Sequence, residues 1–198
     1  MNVEHIKKVI SEREELNSFF ELDTHNIEKL WFAINRFFIM AKEKKFTVYK
    51  THLLKFISIL ELEYIKEAGN FFTGQKLIKM QNGPVPSKMD DFLKEIVKNK
   101  QSYKTLPFIV KLVGINETRT IIEWNNSFES FTAFTSRFQL KMIQRSAEII
   151  FEKKDVNSLS DYTHKYNSWI MAKPNKEMNL FNEIGDEERK KEMEMIYG

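Results

Sequence analysis

Cysteine is absent from all 198 residues. That absence excludes disulfides, zinc–thiolate sites, iron–sulfur clusters and thiol catalysis. It is compatible with a reducing compartment without proving one. Long apolar runs are also missing. The purest, residues 37–41, falls far short of the ~20 residues needed to span a bilayer. Residues 1–11 are polar and hold no apolar stretch ahead of a small-residue cleavage site, so the expected location is the cytoplasm. Arginine is scarce, six residues against 25 lysines. Lysine is a point charge without the fork that reads base edges, which argues against sequence-specific DNA recognition.

Familiar catalytic patterns are missing too. Residues 69–76 hold Gly69, Gly74 and Lys76 in an order that approaches a phosphate loop. Such a loop needs Lys directly after its second Gly, then Ser or Thr. Here Gln75 intervenes, Leu77 follows, and Phe71 and Phe72 would crowd a phosphate. The histidines His5, His25, His52 and His164 are isolated, with no pair three or four apart, so no metal site is expected. No serine sits in a nucleophile elbow. Glu61 and Glu63, two apart on one helix, face different sides and form no cooperating acid pair. They are expected at the solvent edge, because unpaired acids are rarely buried. Catalytic residues, cofactors and metals are all expected to be none, and the chain is not read as an enzyme.

What is present is patterned. The net charge of +3 divides unevenly: −3 over residues 1–24, +9 over 25–174 and −3 over 175–198. A basic middle suits an acidic protein or another anion, and equally a solvated lysine-rich surface. Length allows one or two domains. Residues 1–25 read as an amphipathic extension with a helix over 3–16, residues 26–172 as a helical domain, and 173–198 as an acidic tail.

A helix capped by Thr24 or Asn26 repeats apolar residues at Ile27, Leu30, Trp31, Ile34, Phe37 and Phe38, one stripe facing a core. Residues 49–68 are apolar on nearly all sides, which predicts a central buried helix, stopped by Gly69. A connector or short strand over 71–80 leads to a stiff loop at 82–87, because Pro84 and Pro86 fix φ. Ser87 starts a helix through Met89, Phe92, Leu93, Ile96 and Val97. Residues 107–113 and 118–124 predict a β-hairpin turning at 114–117. A helix over 128–153 carries Phe131, Phe134, Phe138, Met142 and Ile149 as core candidates. A last core helix, capped by Ser158 or Ser160, holds Leu159, Tyr162, Tyr166, Trp169 and Ile170, and ends before Pro174. A peripheral helix is expected through Met178, Leu180, Phe181 and Ile184. The fold class is mainly α with one small β-hairpin, built round the central helix.

The most informative stretch is 52–92. An apolar helix with His52-Leu53-Leu54-Lys55-Phe56-Ile57 precedes Gly69, then Thr73-Gly74, then Gly83-Pro84-Val85-Pro86 leading into a helix. Downstream, Leu159-Ser160 is followed by His164 and Trp169. This order resembles the Panacea family of SocA-like antitoxin domains over about residues 50–172. Two positions depart from the family pattern: Ser58 and Asn82 stand where aromatics are usual. The resemblance implies an antitoxin of a toxin–antitoxin pair that binds a cognate protein toxin directly, encoded beside it, with no cofactor and no reaction. The alternative is a winged-helix-like nucleic-acid-binding regulator of a mobile element or phage, although nucleic acid is not the expected partner. Neither is a membrane.

The matching residues carry plainer readings beside the functional one. Gly83, Pro84, Val85 and Pro86 form either a rigid turn placing two helices or a partner-contact loop. Lys55 is expected to run its stem along the core with its head in water; a contact to an acidic toxin or a structural ion pair is the alternative. Trp169 is expected in the core, on a face offset from His164. His164 reads as a hydrogen-bonded structural histidine rather than a proton switch.

Overall fold

The computed structural model describes residues 3–99, 103, 106–113, 119–126 and 135–197. In chain order the elements are α1 (Val3–Phe20), α2 (Thr24–Glu43), α3 (Lys50–Ala68), β1 (Leu77–Met80), β2 (Gly83–Pro86), α4 (Ser87–Asn99), β3 (Phe108–Val113) and β4 (Arg119–Trp124). They continue with α5 (Arg137–Lys153), α6 (Val156–Thr163), α7 (Asn167–Met171), a 3-10 turn (Leu180–Glu183) and α8 (Glu187–Tyr197).

The apolar stripe of α2 is buried as its spacing predicts. Its cap is Asp23, one residue before Thr24, whose carboxylate accepts from Asn26 N at 2.7 Å. Helix α3 is buried from His52 to Ile65 on every side. Gly69 ends it at φ 74°, donating to Ile65 O at 2.8 Å; a residue with a Cβ is strained there. The Phe37 ring stacks on Phe56 at 4.4 Å and on Phe151 at 5.5 Å, which fixes α3 against α2 and α5. Each such ring contributes roughly 1.5–3 kcal/mol by leaving water. Phe20 of α1 meets Trp31 edge-on at 5.4 Å, so the N-terminal helix docks on the same core.

Among the described residues two antiparallel strand pairs are present rather than one. The pair β3–β4 is the expected hairpin; its turn at 114–117 lies outside the described residues. The second pair, β1–β2, turns the predicted loop at 82–87 into a strand. Two prolines fit that strand because of the alternation in an antiparallel ladder. Leu77 and Lys79 of β1 lie opposite Pro86 and Pro84. Their backbone groups face away from β2: Lys79 N donates to Lys176 O, and its carbonyl accepts from Asn175 N, both at 2.9 Å, while Leu77 O accepts from Met178 N at 2.8 Å. Opposite such residues the missing proline N–H is not needed.

Other expectations change in the C-terminal half. Helix α5 starts at Arg137, not near 128, because Ser136 is extended and caps it, accepting from Gln139 N at 3.1 Å. Phe131 and Phe134 lie outside the described residues. Phe138 is 41% exposed, contrary to its expected core position, while Met142 is buried and Ile149 half-buried against the core. The expected last core helix is two helices, α6 and α7. Its cap is Asp155, accepting from Ser158 N at 2.9 Å. The break falls at Tyr166, which is extended at ψ 136° and whose hydroxyl donates to the buried Glu63 at 2.6 Å. Met178, Leu180, Phe181 and Ile184 do not lie on a peripheral helix. They fill a second buried cluster with Leu62, Ile65, Leu77 and Tyr166, and the terminal helix is α8.

Candidate functional site

Where α3, β2 and α6 meet, a polar socket is built around Lys55. The side chain is 2% exposed. Its head does not reach water, contrary to expectation, because the hairpin and α6 close over it. The ammonium donates to Asn82 O, to Pro84 O at 3.4 Å and to Thr163 Oγ1 at 3.3 Å. No carboxylate pairs with it among the described residues. Burial therefore pushes Lys55 down to about 7, since leaving water disfavours the charged form.

The surrounding hydroxyls complete the socket. Ser58 Oγ donates to Pro84 O at 3.1 Å, and Ser160 Oγ donates to Asn82 O at 2.9 Å. Thr163 Oγ1 lies within hydrogen-bond reach of its own helix at Leu159 O, 3.0 Å away. Gly83 is at φ 97°, and a Cβ there would fall on the Lys55 ammonium and the Thr163 hydroxyl. Glycine is required twice over: for the backbone conformation and for the space.

Of the residues singled out from the sequence, Lys55, Gly83 and Pro84 meet in this socket. Gly83, Pro84 and Pro86 are buried, and Val85 is half-buried against the main core. The motif thus frames the hairpin from inside. His164 and Trp169 lie next to it, on either side of the α6–α7 break. That break overturns the expected offset: the two rings stack at 3.8 Å, 14° from parallel. Trp169 is only half-buried, at the edge of the second cluster. Lys79 Nζ lies 4.2 Å from the indole centroid, a cation–π distance, and donates to Ala172 O at 2.9 Å. Burial, then the positive charge of Lys55, hold His164 below its ordinary value, while the negative charge of Asp161 acts the other way.

Glu61 and Glu63 are buried rather than at the solvent edge. They do face different sides. Glu61 accepts from Phe72 N at 3.1 Å, from Thr73 N at 2.9 Å and from the Thr73 hydroxyl. Burial raises its pKa, and these bonds oppose the rise. Glu63 accepts from Tyr166 and Tyr162 at 2.6 and 3.3 Å and pairs with Arg145 at 3.0 Å. Glu183 accepts from Ser168 N and Oγ, both at 2.6 Å, and so fixes the start of α7. Sequence reasoning missed Thr163, Arg145 and Glu183, and it singled out Ser58 and Ser160 without their part in the socket. One signal was available: polar residues inside a helix apolar all round must find partners when it is buried.

Among the described residues no group of three or more side chains is placed to hold a metal, and no helix is long and apolar enough to cross a membrane. Neither a curated protein nor a solved structure matches the chain. Residues 53–170 match the family described as "Antitoxin SocA-like, Panacea domain". That span begins just before Lys55 and ends just after Trp169, enclosing the socket and the ring stack. The chain belongs to the SocA-like Panacea antitoxin family.

Proposed function

We propose that this protein is an antitoxin that neutralises a cognate protein toxin by binding it directly. The observation that carries the reading is the family match over residues 53–170. The charge distribution supports it, because the +9 stretch suits a partner surface rich in carboxylates. The reading assigns no reaction to the chain and places it in the cytoplasm beside its toxin. In it, Lys55, Gly83, Pro84 and Pro86 hold the framework rigid, and neighbouring exposed residues make the contact.

The test is co-expression with the product of the adjacent gene. That product is expected to arrest growth alone, to be silenced when this chain is present, and to co-purify with it. A neighbour that is harmless alone, or that still arrests growth beside soluble antitoxin, overturns the reading.

A further inference from the structure

We propose that α7 and the rings stacked beneath it form the docking surface for an acidic, apolar segment of the partner protein. This rests on the antitoxin reading above and names the face it would use. Ile170 and Met171 are 58% and 67% exposed, consecutive at the end of α7 beside Trp169. Exposed large apolar residues gathered at one place mark interaction surfaces more than scattered ones do, and Trp and Met are enriched in interface cores.

The helix is short but held from three sides. Glu183 grips its first turn through Ser168, Tyr166 ties its start to Glu63, and Lys79 binds the carbonyl of Ala172 at its end. Apolar groups on a fixed element lose little freedom on binding. A second, independent observation lies under them. Trp169 Nε1 and His164 Nε2 are shielded from solvent and have no hydrogen-bond partner among the described residues. Unsatisfied polar atoms in a folded protein call for an explanation, and the indole N–H reaches an incoming carboxylate once the edge of the stack moves to uncover it.

Charge selects the partner. Lys79 contacts the end of α7, Lys165, Lys173 and Lys176 flank it along the chain, and the acids beside it are Asp161, Glu177 and Glu183. Glu177 is already drawn to Lys76 at 3.9 Å, and neither Lys165 nor Lys173 forms an ion pair among the described residues. The rim is net positive, so the complementary occupant is a protein segment carrying carboxylates around apolar side chains.

The experiment titrates the full chain with the purified product of the neighbouring gene as probe. The Ile170→Asp/Met171→Asp variant is expected to weaken binding about 100-fold, as the loss of a central anchor does. The Lys165→Glu/Lys173→Glu variant is expected to weaken it about 10-fold, chiefly in association rate at low salt. The Met195→Asp/Ile196→Asp variant, on the exposed end of α8, should bind as wild type, and all three should melt as wild type. If wild type binds and the first two variants bind equally well, this surface is wrong and the antitoxin reading stands. If wild type does not bind, that reading fails and takes the surface with it. A wild-type dimer that Ile170→Asp/Met171→Asp converts to monomer assigns the face to a second copy. Duplex DNA binding lost in the lysine variant assigns it to nucleic acid. Either result overturns the proposal.

Discussion

The strand pairs β1–β2 and β3–β4 are each two antiparallel strands lying against α3, but they are held by different forces. The β3–β4 pair relies on packing. Phe108 and Ile122 point into the core, and Trp124 anchors the far end by donating to the buried Asn35 at 2.8 Å. The β1–β2 pair is short and proline-rich, and its carbonyls are gathered by Lys55, Ser58 and Ser160. One hairpin follows from β-branched side chains on a half-buried surface. The other exists because a buried cation and hydroxyls from two distant helices satisfy its backbone. A side chain added at Gly83 should therefore cost far more than loss of one polar contact in β3–β4.

The largest expected effect is at Gly83. Gly83→Ala forces a positive φ on a residue with a Cβ and drives that carbon into the Lys55 ammonium. A loss of about 3 kcal/mol is expected from strain and overpacking together, read from urea unfolding. Adding Lys55→Met should recover part of it, because one of the two blocking groups is gone while the Thr163 hydroxyl remains. Full additivity of the two substitutions would show that the close approach is not the cause.

A pH effect of comparable size is confined to the same hairpin. Lys55 sits at about 7 when folded and at its ordinary value of 10.5 when unfolded. Between these values the unfolded chain binds more protons, so stability rises with pH. Below about 7 both states are protonated and the dependence stops. Compared with Lys55→Met, wild type should gain on the order of a few kcal/mol between about pH 7 and pH 10. The two curves running parallel would place the ammonium in water after all. The subtraction matters because Tyr103, pushed up to about 12 by burial and nearby carboxylates, opposes the trend at the alkaline end.

The smallest effect is expected in β3–β4. Trp124→Phe keeps an aromatic ring but leaves Asn35 without its indole donor. A loss of about 1–2 kcal/mol is expected for an unmet buried acceptor. The pH dependence of stability should be unchanged in this variant, since Lys42, 4.8 Å from the ring centroid, keeps an aromatic ring beside it. A shift in its profile toward that of Lys55→Met would show that the two hairpins are coupled through α3.

Much of the helical frame was legible along the chain. The stripe of α2, the all-round apolarity of α3 and its stop at Gly69 depend on residues close in sequence, where helical periodicity and glycine's freedom act directly. The motif residues Lys55, Gly83 and Trp169 were legible as a set, but not their geometry. The α6–α7 break was hidden because its cause, the bond from Tyr166 to Glu63, spans more than 100 residues. The second hairpin was hidden because prolines argue against a strand unless the register is known.

Local spacing in the sequence therefore determined which helices form and which faces turn inward, since each turn supplies its own backbone partners. Only the tertiary structure decided the fate of the polar groups on those faces. Lys55, Glu61 and Glu63 sit on one buried helix, and whether each reached water or stayed inside depended on partners far along the chain: Asn82 and Thr163 for the first, Phe72 and Thr73 for the second, Arg145 and two tyrosines for the third. A buried polar group is tolerated only where its hydrogen bonds are met, and meeting them is a property of the assembled fold.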